Sequence, residues 1–131
     1  MHVADLSRLL EALVDAALDP SKKDEKEIWG AKGYFLCENG EHVWGELSKY
    51  IGEKSFSLGY IPETPTCKQW SLDEAVKSPA GFEAASWGWN SRGTAVRARR
   101  TLGWQPKERT LEGEVPDIIH AEAARLGLRA T

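Results

Sequence analysis

The chain has 131 residues, of which 41% are hydrophobic and 28% are charged, a balance that excludes a disordered or fibrous polypeptide. Its net charge of -3, from 17 basic and 20 acidic side chains, is too even for a general nucleic-acid or membrane-surface binder. No apolar run reaches the roughly 18 residues of a membrane span. The length is that of one typical domain, so we predict a single domain over residues 1–131.

The residue pattern of the first half of the chain predicts two helices and one strand. Apolar residues over 6–18 recur at helical spacing, with Asp5 as N-cap and Pro20 as stop. A short apolar run at 33–37 is typical of a buried strand. Residues 41–54 again show the spacing of a helix.

The second half predicts three further helices. Residues 55–70 form a loop that allows a short strand over 56–61. A capping box at Ser71 starts a short helix, and a helix capped by Asn90 or Ser91 runs to Leu102. Thr110 opens the last helix. The chain therefore predicts an α+β fold that is predominantly helical, with about five helices and one to three short strands.

Arginines near the predicted helix start form a candidate anion site. Arg92, Arg99 and Arg100 lie at offsets that place them on one helical face. With Asn90 and Ser91 at the helix start, they have the chemistry to bind a phosphate or carboxylate. The alternative is an ordinary solvated helix face.

Trp87 and Trp89 precede the same helix and are candidates for stacking a flat ligand. They fit a hydrophobic core equally well, whereas we assign Trp44 and Trp104 to the core.

Glu38, Glu41 and His42 follow the predicted strand, beside Cys37, and offer groups for general acid–base chemistry. Glu38 and His42 are the candidate catalytic residues, although a capped helix start explains the same pattern. No metal site is predicted.

Cys37 and Cys67 are too few and too far apart for a disulfide framework or a CxxC motif. We read them as free thiols in a reducing compartment, which predicts a cytoplasmic protein.

Four segments in order carry a family resemblance. They are His2-Val3-Ala4-Asp5-Leu6, Gly33-Tyr34-Phe35-Leu36 with Glu38-Asn39-Gly40-Glu41-His42, Asn90-Ser91-Arg92, and Ala98-Arg99-Arg100-Thr101-Leu102-Gly103-Trp104-Gln105-Pro106. Together they resemble the C-terminal, substrate-domain part of NAD-dependent epimerases/dehydratases of the extended short-chain dehydrogenase/reductase superfamily. The resemblance implies a nucleotide-sugar site near residues 90–92.

The resemblance also implies a preceding cofactor domain with a glycine-rich loop and a Tyr-x-x-x-Lys pair. The chain has no Gly-x-Gly-x-x-Gly, and its one Tyr-x-x-x-Lys match, Tyr50 to Lys54, lies in the wrong context. We therefore predict a truncated protein that binds no cofactor and acts as a ligand-binding or association module, without autonomous redox activity.

The expected partners are a second copy of the chain and a small anionic or nucleotide-sugar-like ligand. Apolar residues Leu9, Leu10 and Leu13 and the segment 34–36 would form the interface of a homodimer or higher oligomer.

Two other functions stay open. One is a cofactor-independent isomerase or cyclase that uses His42, Glu38 and Arg92 as acid, base and anion holder. The other is a regulatory partner of a full-length relative.

Overall fold

The computed structural model describes residues 1–89 and 91–130, and these residues form six helices and no strand. The helices are α1 (Val3–Leu18), α2 (Trp44–Ser57), α3 (Leu72–Lys77), α4 (Gly81–Ser86), α5 (Val96–Leu102) and α6 (Leu111–Arg125). The predicted α+β class with one to three strands is therefore wrong, and the helix count exceeds the predicted five because α4 forms where a loop was expected.

The predicted strand at 33–37 is an extended segment without a pairing partner among the described residues. Its side chains still alternate, because Phe35 and Cys37 pack against the core while Tyr34 and Leu36 are exposed. The run was predicted to be buried as a whole, and this is wrong for Tyr34 and Leu36. A strand also needs a neighbouring backbone, which a pattern within one segment does not supply.

Helix α1 begins earlier than its spacing predicts. The Nδ1 atom of His2 accepts a hydrogen bond from the amide of Ala4 at 3.1 Å, so His2, and not Asp5, is the N-cap. Leu9 and Ala16 are buried on the inner face of the helix. The helix ends at Leu18, two residues before the predicted stop.

The chain groups into two compact units. Unit 1 comprises Met1–Glu41 and Arg92–Leu111, and its core contains Leu9, Ala95, Ala98 and Trp104. The predicted core position of Trp104 is confirmed.

Unit 2 comprises His42–Ser91 and Glu112–Thr131. Its buried residues come from four helices and are small or aliphatic: Leu47, Gly52, Ala75, Ala85, Val115, Ile119 and Ala123. Ser71 closes the predicted capping box with Glu74 at the start of α3. In the described part of the chain, no helix has the length and apolar character needed to cross a membrane.

Candidate functional site

Glu38, a predicted catalytic residue, lies in unit 1 and holds the start of α5. Its Oε1 accepts a hydrogen bond from the backbone amide of Ala95 at 3.3 Å and forms an ion pair with the guanidinium of Arg99. Its Oε2 accepts from the amide of Gly40 at 3.2 Å. Both carboxylate oxygens are therefore engaged within unit 1.

These contacts set the ionisation of Glu38. Desolvation by burial raises the pKa of its carboxyl group, but hydrogen bonds from Ala95, Gly40 and Arg99 outweigh it, and the pKa lies below its usual value. A general base near neutral pH needs a raised pKa and a free oxygen. Glu38 has neither of these. Its side chain instead caps the start of α5.

The arginines predicted to bind an anion are largely used inside unit 1. Arg99 pairs with Glu38, and Arg100 reaches Glu27 at 3.1 Å. Arg97 donates to the carbonyl of Glu27 at 2.8 Å and lies 5.7 Å from the centre of the Tyr34 ring. These side chains attach α5 to the segment between α1 and α2 and do not form an open phosphate site.

Arg92 does not share a helical face with Arg99, because α5 begins only at Val96. A Cβ on Gly93 would lie 3.1 Å from Cδ1 of Leu36, so the chain passes closely over the extended segment here. Ala95 is the N-cap, and its amide hydrogen bond to Glu38 takes the place of the predicted cap. Arg92 and Ser91 are exposed in the loop, and Asn90 lies outside the described residues.

Asp5 is the buried polar centre of unit 1. Its carboxylate accepts from the amides of Lys107 at 2.8 Å and Glu108 at 3.3 Å, and from Arg8 at 2.9 Å. The indole of Trp104 donates to the Asp5 carbonyl at 2.9 Å. The start of α1 is thus tied to the segment that follows α5.

The same contacts keep Asp5 ionised. Burial raises the pKa of its carboxyl group, but the hydrogen bonds from Lys107, Glu108 and Arg8 outweigh burial and hold the pKa below its usual value. A second link runs from the side-chain amide of Asn39 to the carbonyl of Glu108 at 3.0 Å. Asp5 was predicted as the N-cap of α1, and its actual role is to accept hydrogen bonds from the distant amides of Lys107 and Glu108.

The remaining predicted residues belong to unit 2, where aromatic rings meet. The rings of Trp44 and Trp87 are stacked, with centroids 5.4 Å apart and planes inclined by 20°. The imidazole of His42 lies edge-on to Trp44, with ring centroids 4.7 Å apart. The predicted core position of Trp44 is wrong, because the residue is exposed.

Trp89 pairs with a different ring. It lies edge-on to Phe82, with centroids 5.3 Å apart, and both side chains are exposed. A further contact that sequence analysis missed joins the hydroxyl of Tyr60 to Nδ1 of His120 at 2.8 Å.

The two cysteines are unbridged. Burial raises the pKa of the Cys37 thiol, which packs against the unit 1 core, and Cys67 is exposed and unbridged. Nowhere in the described ranges do three His, Cys, Asp or Glu side chains gather in a way that would hold a metal ion.

The predicted site residues therefore separate into two groups. Unit 1 brings together Glu38 and Arg99, and unit 2 brings together His42 and Trp87 around Trp44. The residues of the first group stabilise the fold of unit 1. The aromatic rings of the second group are exposed to solvent.

The chain is similar to one curated protein, the oxidase ucsJ of an Acremonium species, with 33% identity over 140 aligned positions. The match covers 98% of this chain and 37% of the oxidase, so the chain spans little more than a third of that protein's length. No protein-family model matches the chain. No solved structure matches it either.

Proposed function

We propose that this chain is a substrate-side part of an oxidoreductase, resembling the C-terminal region of NAD-dependent epimerases/dehydratases, and that it has no redox activity of its own. The observation that carries this proposal is the similarity to the Acremonium oxidase. It runs through 98% of the chain but accounts for only 37% of the oxidase. The chain corresponds to one part of a larger protein that is named for redox chemistry.

The contacts in unit 1 support a structural role for the segments that carry the resemblance. Asp5 lies in the first segment, and Trp104 lies in the last. The indole of Trp104 donates to the Asp5 carbonyl, and the Asp5 carboxylate accepts from Lys107 just beyond. The segments that carry the resemblance are thus the ones that hold this unit together.

The described residues do not fit the pyrophosphate of NAD. Such a group needs free backbone amides at a glycine turn or free guanidinium groups. The chain has no Gly-x-Gly-x-x-Gly turn, and Arg97, Arg99 and Arg100 are engaged with Glu27 and Glu38. Arg92 is exposed, but it lies in a loop and not at the start of a helix. We therefore assign no hydride-transfer step to residues of this chain.

The alternative of a cofactor-independent isomerase receives no support from the geometry. Its proposed base, Glu38, has both oxygens engaged and a lowered pKa. Arg92 is exposed in a loop of unit 1, whereas His42 packs against a tryptophan of unit 2.

Helix α1 favours self-association as a second property. Beyond its buried residues, α1 carries an apolar stripe along its outer face, formed by Val3, Leu6, Leu10, Val14 and Leu18, and all five are exposed. A surface helix normally buries its apolar stripe and exposes charge on the opposite face. Of the interface residues predicted from the sequence, Leu9 is buried in the unit 1 core and Leu13 and Phe35 pack against it, so these three are not available. We propose that a second copy of the chain covers this α1 stripe, which includes the predicted Leu10.

Calorimetry on the purified chain tests the absence of autonomous cofactor binding. We expect no saturable heat when NAD or NADH is added, because the chain has no glycine-rich turn and the arginines of α5 are engaged with Glu27 and Glu38. UDP-glucose and free diphosphate serve as comparison ligands. Saturable binding of NAD to the chain alone would overturn the proposal.

A chimera tests the positive part of the proposal. In this chimera, the 131 residues of the present chain replace the matching segment of the Acremonium oxidase. Thermal unfolding of the chimera is followed by circular dichroism. We expect a cooperative transition close to that of the parent oxidase. A chimera that fails to fold, beside a parent that folds, would contradict a shared structural role.

A further inference from the structure

The stacked rings of Trp44 and Trp87 form a rigid aromatic surface on unit 2. Trp44 is the first residue of α2, and Trp87 directly follows α4, where its amide donates to the carbonyl of Glu83 at 3.2 Å. Each indole is fixed by the end of a helix and by the other ring. A ligand that stacks here would therefore immobilise little side-chain freedom on binding.

The open part of this surface belongs to Trp87. Trp44 contacts two rings, those of His42 and Trp87, whereas Trp87 stacks on Trp44 alone among the aromatic rings of residues 1–89 and 91–130. Trp87 as a residue is 50% exposed to solvent. No second aromatic ring of the described residues lies against Trp87, and its exposure is that of a residue with room for a further stacking partner.

The charge of unit 2 restricts what this surface would accept. Its sequence carries six basic and ten acidic side chains. Four of the basic groups are already in ion pairs with acidic neighbours: Lys49 with Glu53, Lys68 with Glu74, Lys77 with Asp73, and Arg125 with Glu122. A phosphate-bearing ligand would meet an acidic unit with most of its cations occupied.

The geometry of the rings also distinguishes a flat ligand from a compact cation. Quaternary ammonium groups bind in cages, where several aromatic faces converge on one point. The planes of Trp44 and Trp87 are inclined by only 20°, so the two rings form a layered stack and not a cage. A flat ring extends such a stack by one layer.

We propose that the outer face of Trp87 binds an uncharged planar aromatic ring, and that this ring is the part of the substrate that the chain recognises. The ring geometry and the charge of unit 2 are the evidence for the binding surface. The inference that the bound ring is part of a substrate rests on the proposed function, because a substrate-side segment would bind the non-reacting part of the substrate. This proposed ligand differs from the anionic, nucleotide-sugar-like ligand expected from the sequence.

A matched pair of small ligands tests the surface directly. 2-Naphthol is planar and uncharged, and decahydro-2-naphthol has the same carbon skeleton and hydroxyl group without a flat ring. The six tryptophans each contribute one indole N–H signal to a nitrogen-correlated NMR spectrum. We expect 2-naphthol to shift the signals of Trp44 and Trp87 in a saturable manner and decahydro-2-naphthol to leave them unchanged.

Variants show whether binding depends on this stack. Trp87→Leu should weaken 2-naphthol binding by about tenfold, the scale of one aromatic stacking contact. Trp87→Phe keeps a flat ring and should restore most of the affinity. Trp70→Leu is the matched control, because Trp70 is an equally exposed tryptophan of unit 2 outside the described ring contacts.

Three results would overturn the proposal: equal shifts from both naphthols, equal loss of binding in the Trp70 and Trp87 variants, or preferential binding of tetramethylammonium or adenosine monophosphate. The last result would identify a cation or nucleotide site instead. This test uses neither NAD nor the chimera. Its failure would leave the proposed function standing, and NAD binding would remove that function without affecting the aromatic surface.

Discussion

Asp5 shows how one buried carboxylate organises unit 1. It is fully buried yet ionised, because two backbone amides and Arg8 supply the hydrogen bonds that water would otherwise provide. The amides belong to Lys107 and Glu108, far along the chain. An apolar residue at this position would leave both amides without their acceptor.

Replacing Asp5 should therefore destabilise the protein. We expect Asp5→Ala to lower the free energy of unfolding by about 2–3 kcal/mol, the cost of leaving donors of a buried charged hydrogen bond unsatisfied. Asp15→Ala is the matched control, because Asp15 is an exposed aspartate on the same helix. Urea unfolding at pH 7 measures both, and equal losses in the two variants would contradict this role.

The lowered pKa values of Asp5 and Glu38 predict a loss of stability in acid. Each carboxyl group has a lower pKa in the folded chain than in the unfolded chain, so its contribution is complete above about pH 4.5. That contribution is lost as the pH falls through the folded pKa. Urea midpoints between pH 7 and pH 3 should fall less steeply in Asp5→Asn than in the parent chain.

Glu38 gives a prediction that separates a cap from a catalytic base. Glu38→Gln keeps the shape of the side chain but removes the charge that Arg99 and the Ala95 amide contact. We expect a loss of about 1 kcal/mol in unfolding free energy. Glu41→Gln, at an exposed neighbouring glutamate, should change stability by less than about 0.5 kcal/mol. An unchanged stability in Glu38→Gln would contradict the cap.

At the scale of elements, α2 contains two glycines in opposite environments. A Cβ on Gly52 would lie 2.6 Å from Cγ of Pro65, whereas a Cβ on Gly45 would meet nothing within 4 Å. Alanine favours a helix over glycine at both positions. The neighbouring proline ring decides which substitution the fold accepts.

These glycines should therefore respond to alanine with opposite signs. Gly45→Ala should stabilise the protein by about 0.5 kcal/mol, because it reduces the freedom of the unfolded chain without a clash. Gly52→Ala should destabilise it by about 1 kcal/mol, because the rigid Pro65 ring has to move. Thermal unfolding of the two variants measures the difference, and stabilisation by both would show that Pro65 yields without cost.

Helix boundaries show which local signals hold. The capping box at Ser71 forms as predicted, because both of its hydrogen bonds lie within four residues. The helix predicted from Asn90 or Ser91 begins only at Val96, where Glu38 accepts from the preceding amide of Ala95. A cap supplied from a distant part of the chain leaves no local pattern.

At the scale of the whole molecule, the α1 stripe carries the proposed self-association. Leu10 lies at its centre and is 56% exposed. Leu10→Glu places a charge in the proposed interface and should convert a dimer into a monomer, because burying an unpaired carboxylate is unfavourable. Light scattering coupled to size-exclusion chromatography measures the mass of each species.

The control for this experiment is Leu72→Glu, which changes an exposed leucine of unit 2 and should leave the mass unchanged. A parent chain that elutes at the monomer mass at about 100 μM, a concentration well above the micromolar affinities of ordinary interfaces, would refute self-association through α1.

The sequence alone determined the helical periodicity of α1 and α2 and the capping box of α3, because each depends on neighbours along the chain. It also marked Trp87 as a candidate ligand contact. Tertiary structure decided the rest. In the folded chain the segment 33–37 has no strand partner among the described residues. Glu38 and three arginines make structural contacts, and Trp87 stacks on Trp44. Hydrogen bonds, ion pairs and ring contacts between distant residues depend on three-dimensional proximity, which local patterns do not encode.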